Sequence, residues 1–116
     1  MVWDLKEWRS VVSSFLREVG LPASTRILRD LRGMAALGHN FRGDTKPLGD
    51  GLFELRVRHS KLAYRLLYVH HQRTAVFLVC FAKKTQKTPP GMISLAKHRY
   101  AEILSMEVAL GNIEFN

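Results

Sequence analysis

The chain has 116 residues, of which 47% are hydrophobic and 24% charged. This length fits one compact domain spanning residues 1–116, and the apolar share excludes wholesale disorder. The net charge of +8 points toward anionic partners, and a single cysteine, Cys80, excludes a disulfide framework.

In chain order, Leu5, Trp8, Val12, Phe15 and Val19 recur at spacings of three and four. That pattern predicts a helix over residues 3–19, stopped by Gly20 and broken by Leu21-Pro22. Ser24 is placed to cap a second helix with Ile27, Leu31, Met34 and Ala35 on its inner stripe, closed by Gly38. The two form a helical hairpin. Residues 40–51 read as loop, punctuated by Gly43, Asp44, Pro47, Gly49 and Asp50-Gly51.

The period then changes to two. Phe53, Leu55 and Val57 alternate with Glu54, Arg56 and Arg58, and two longer apolar runs follow, "LAYRLLYVH" and "TAVFLVCFA". Short connections make an antiparallel meander the simplest topology. Thr88 is placed to cap a last helix, with Pro89 and Pro90 in its first turn and Ile93, Ala96, Tyr100 and Ile103 as its stripe. The final "ALGNIEFN" reads as a tail. The fold class is therefore α+β: two N-terminal helices packed on an antiparallel sheet, with a C-terminal helix after it. No apolar run approaches the roughly 20 residues of a membrane span, and "MVWDLKEWRS" has no leader pattern. A cytoplasmic protein with no membrane partner is expected.

Charge distribution narrows the function. No Asp or Glu occurs between Leu55 and Ala101, a stretch carrying Arg56, Arg58, Lys61, Arg65, Arg73, Lys83, Lys84, Lys87, Lys97 and Arg99. Such a one-sign segment implies nucleic acid, an acidic protein or a membrane surface as partner. Strand alternation puts Arg56 and Arg58 on one face, about 6.6–6.8 Å apart, close to the phosphate spacing of a nucleic-acid strand. Arg65 falls mid-strand among apolar residues, where an unpaired charge is expensive. It reads either as a structural ion pair with Glu54 or as a phosphate clamp oriented by Glu54. Lys83 and Lys84, at a strand end, point to opposite faces. Lys87 adjoins the start of the last helix, whose free N–H groups also favour anions. His59 reads as a turn residue or as a general base. His70 and His71 share a turn without a third ligand at zinc spacing, so no metal is expected. No nucleophilic triad, P-loop or dinucleotide fingerprint occurs, and no cofactor is expected.

Residues 45–104, from "TKPLGDGLFELRVRHSKLAYRLLY" through "FAKKTQKTPPG" to "AEIL", resemble the RelE/HigB superfamily of bacterial toxins, most closely its phage-derived, HigB-like branch. The resemblance implies a RelE-like fold with a 3–4-stranded antiparallel sheet. It also implies a strand before the helices, for which only "MVWDL" is available. A small toxin of a type II toxin–antitoxin pair follows, a ribosome-dependent mRNA endoribonuclease neutralised by a helix-turn-helix antitoxin. Carried over by position, the motif residues are Glu54, Arg56, Arg65, Lys83 and Lys84, with Lys87 at the edge.

The chemistry implied needs no metal: the ribose 2′-OH attacks the adjacent phosphate in line, and the 5′-oxygen leaves. Such a reaction requires a proton acceptor, a proton donor and cations on the phosphorane. Arg56 and Arg65 are assigned to the phosphate, Lys83 or Lys84 to proton transfer or binding, and His59 is the reserve base. Glu54 orients the arginines, while Arg58, Lys61, Lys87 and Lys46 contact RNA. Two rivals stay open: a phage accessory protein that binds RNA or an antitoxin without cleaving, and a ParE-like gyrase inhibitor on the same fold.

Overall fold

The period-two segment folds as the sequence pattern dictates: β3 (Leu52–His59), β4 (Leu62–His71) and β5 (Thr74–Lys83) form an antiparallel meander. Tight turns join the strands, with Ser60 and Gln72 in the left-handed region. The computed structural model describes residues 2–84, 87–113 and 115. Thr85 and Gln86, within the lysine-rich turn, lie outside the described residues, as do Met1, Glu114 and Asn116.

Three further strands widen the sheet to six and correct the sequence reading. Residues expected in one helix over 3–19 divide into β1 (Asp4–Trp8) and α1 (Val11–Val19). The helical spacing holds from Val12 onward, but Leu5 and Glu7 are successive inward residues of a strand. Glu7 hides the period-two signal because its inward side chain is a carboxylate. That carboxylate caps α1: Oε1 accepts from the Val12 and Ser13 amides at 2.8 and 3.0 Å, and Oε2 from the Ser13 hydroxyl at 2.8 Å. The N-terminal strand implied by family resemblance is therefore present.

The expected loop at 40–51 contains β2 (Asp44–Gly49), preceded by a single 3₁₀ turn at Gly38–Asn40. β2 is an edge strand, exposed along almost its whole length, so no apolar alternation announces it. Pro47 is tolerated there, and the pairing with β3 shifts register between Pro47 and Gly49. The expected tail contains β6 (Leu110–Asn112), antiparallel to β1, with Ile113 buried beyond it. Strand order is β2-β3-β4-β5-β1-β6, and β1 lies parallel to β5. The sheet is mixed rather than purely antiparallel, with more strands than the expected 3–4, within the same α+β class.

α2 (Ala23–Leu37) follows α1, and both cover one sheet face. Val12, Phe15, Ile27, Leu31 and Met34 pack there on Leu5, Leu55, Val57, Tyr64, Leu66, Tyr68 and Phe77. α3 (Pro90–Leu104) covers part of the other face, its stripe of Ile93, Ala96, Tyr100 and Ile103 against Leu52, Leu67, Val69, Val76, Leu78 and Val79. Neither expected threonine or serine cap forms. Pro22 occupies the N-cap of α2 and Pro89 that of α3, each without a side-chain cap bond. Among the described residues, no helix is long and apolar enough to cross a membrane.

Candidate nucleic-acid interface

Directly paired residues of neighbouring strands share a face, so the register lays out the surface beyond the N-terminal end of α3 in rows. One row runs Asp44–Arg56–Arg65–Phe81 across β2 to β5. The next, toward α3, runs Lys46–Glu54–Leu67–Val79. On the other side lies Arg58–Ala63–Lys83. Arg56, Arg58, Arg65, Lys46, Glu54 and Lys83, named from sequence, thus occupy one face. Lys83, the last residue of β5, is the lysine that joins the arginines. His59 is paired with Leu62 on the opposite face, the one α1 and α2 cover, and does not meet them.

Glu54 is the centre of the arrangement, with 0% of its side chain exposed. Its Oε2 accepts from Arg56 Nη2 at 2.9 Å and Nε at 3.3 Å, a two-pronged contact that fixes the plane of the guanidinium. Its Oε1 accepts from the Thr88 hydroxyl and lies 3.8 Å from Arg65 Nη1. Arg65 Nη1 also donates to Thr88 Oγ1 at 3.4 Å. Both guanidinium groups therefore bracket one carboxylate, and the cluster carries a net positive charge.

The two arginines differ in access. The Arg56 side chain keeps 11% exposure, whereas Arg65 keeps 1%. Burial lowers the Arg65 pKa from its ordinary value, the Glu54 carboxylate raises it, and Arg56 and Arg58 add to the lowering. A guanidinium starts so far above neutrality that it stays charged. Both sequence readings of Arg65 named Glu54 as its neighbour, and the geometry gives Arg65 the structural ion pair. Arg56 is the arginine of the pair whose side chain reaches the surface.

Lys84 and Lys87 are exposed on either side of the undescribed Thr85 and Gln86, and Lys61 is exposed in the β3–β4 turn. The α3 N-terminus contributes less than its helical dipole promises. Pro89 and Pro90 have no N–H, and the Met92 and Ile93 amides already bond the Pro89 carbonyl. The rest of the acid-free segment leaves this face. Lys97 pairs with Asp50 at 2.6 Å. Arg99 bonds the Leu78 carbonyl at 2.7 Å and stacks 3.8 Å from the Trp8 ring. Burial and the Glu7 carboxylate push the Cys80 thiol pKa up, which disfavours the thiolate. Among the described residues, no group of three or more His, Cys, Asp or Glu is placed to hold a metal.

Sequence reasoning missed two members. Thr88 was assigned to helix capping, and Asp44 to a loop. The signal for Asp44 lay in the alternation of "DTKPLG", but the exposure of β2 removed any apolar residue that could reveal it. On the helix side of the sheet, a cavity of about 230 Å³ is lined by Trp3, His39, Phe53, Tyr68 and His70 among others. It is separated from the arginine rows by the sheet itself.

The profile of the family described as Phage derived protein Gp49-like (DUF891) matches residues 14–101. The match runs from α1 into α3 and includes every residue of the rows above, leaving β1 and β6 outside it. No curated protein matches the chain at a significant level. With most of its length so matched, and with the Glu54–Arg56–Arg65 cluster inside the match, the chain belongs to the phage-derived Gp49-like family, part of the RelE/HigB-like toxin superfamily.

Proposed function

We propose that the protein is the toxin of a type II toxin–antitoxin system, of the HigB-like kind, and that it cuts mRNA on the ribosome. The observation that carries this reading is the row arrangement. Arg56, held in plane by Glu54, stands between Arg58–Lys83 on one side and Lys46 on the other, on the sheet face that α3 covers only in part. Such a face suits a phosphodiester strand, with phosphates following the cations.

In the reaction proposed, the 2′-oxygen bonds to the adjacent phosphorus while the P–O5′ bond breaks, leaving a 2′,3′-cyclic phosphate and a 5′-hydroxyl. The 2′-OH proton passes to an acceptor and the leaving 5′-oxygen takes one up. Arg56 stabilises the phosphorane charge, and Lys83 or Lys84 binds the strand or donates the proton. Arg65, buried beneath, acts through Glu54. Arg58, Lys46, Lys61 and Lys87 hold neighbouring phosphates. A helix-turn-helix antitoxin would neutralise the toxin, and the cytoplasm is the matching location.

A binding role without cleavage draws on one observation: His59, the reserve base, stands on the far face of β3. Asp44, exposed opposite Arg56, is the carboxylate best placed to replace it. Inducible expression in a bacterial host with mapping of mRNA 5′ ends separates the readings. Cuts in codon register that vanish in Arg56→Ala support the nuclease. Growth arrest with DNA damage and no such cuts favours a gyrase inhibitor, and unaffected growth favours a binder.

A further inference from the structure

Among the described residues of the segment joining β5 to α3, Thr88 reaches the arginine pair with a buried side chain, 4% exposed although Lys87 before it is exposed. A threonine in an irregular segment ordinarily bonds nearby backbone or faces solvent. This one instead donates to Glu54 Oε1 and accepts from Arg65 Nη1. Glu54 is thereby divided, one oxygen committed to Thr88 and Arg65 and the other to Arg56. A carboxylate only accepts and a guanidinium only donates, so a hydroxyl is the one group of the four that satisfies both kinds of neighbour.

We propose that Thr88 is a positioning residue that fastens the approach to α3 to the arginine pair, setting the adjacent Lys87 against the same anion that Arg56 meets. The anion's identity rests on the proposed RNA-cleaving function; the fastening does not. Valine reproduces the shape of threonine without the hydroxyl, so Thr88→Val removes the fastening and strands a buried Glu54 oxygen. Serine keeps the hydroxyl, so Thr88→Ser retains it.

Trypsin digestion of the folded protein, followed by mass spectrometry, reads the fastening directly. Cleavage after Lys87 should accelerate about tenfold in Thr88→Val, the factor carried by one hydrogen bond of typical strength. Cleavage after Lys61, in the β3–β4 turn, should stay as in the wild type, and Thr88→Ser should match the wild type at both sites. Equal acceleration at Lys61 would reduce Thr88 to a general stabiliser and overturn the proposal. So would a serine variant as labile as the valine variant. RNA cleavage by the same three proteins forms a separate arm. A loosened segment in Thr88→Val alongside a wild type that cuts no RNA keeps the fastening and removes the nuclease reading.

Discussion

Arg56 and Arg65 face each other across β3 and β4 yet respond differently to truncation. Arg65 is half of a buried ion pair, and removing one partner of such a pair leaves an uncompensated charge, at about 3–5 kcal/mol. Arg65→Ala should therefore shift the urea unfolding midpoint strongly downward, and its loss of activity would reflect loss of fold. Arg56 also pairs with Glu54, but its side chain keeps 11% exposure, so its truncation should cost less. Arg56→Ala should unfold cooperatively at a midpoint between those of Arg65→Ala and the wild type, while losing RNA cleavage. Tyr68 offers a test of burial on the helix side of the sheet. Its phenol is pushed up to about 12 by desolvation, from 10.0. The unfolded chain then gives up this proton first as pH rises, so stability is unaffected below pH 10 and falls between there and about 12. Thermal melts across that range should show the slope, and Tyr68→Phe should flatten it.

The capping of α1 depends on a residue outside the helix. Because Glu7 on β1 satisfies the Val12 and Ser13 amides, Glu7→Ala should cost about 1–2 kcal/mol, read as a lower melting temperature. The same carboxylate explains why β1 was illegible in the sequence. A strand shows itself when its inward residues are apolar, and here one of the two inward residues of β1 is a glutamate. β2 shows no inward apolar face at all, and β6 is three residues long, too short for any period to register. The central strands and α3, whose apolar residues mostly face a core, were legible in the sequence. So was the arginine face, because alternation alone fixes it. Thr88 was not, because its partner Glu54 lies 34 residues away and no local pattern joins them.

Over the whole molecule, the acid-free segment divides its charge. Arg99 and Lys97 serve packing and an ion pair and Arg65 is buried, while Arg58 and Lys83 are exposed and Arg56 reaches the surface. RNA binding should weaken with salt, with a slope of about 0.7 per phosphate contact on a single strand. Removing Arg58 and Lys83 together should lower that slope by about 1.4 without altering the far-UV circular dichroism, as filter binding at several salt concentrations would show. The sheet order has a temporal side. β1 is synthesised first, yet its partners lie at positions 74–77 and 110–112. Strand pairing that spans most of a chain forms slowly and late. A nascent chain must therefore carry β1 with both edges unpaired until β5 has been made, and with one edge unpaired until β6 follows.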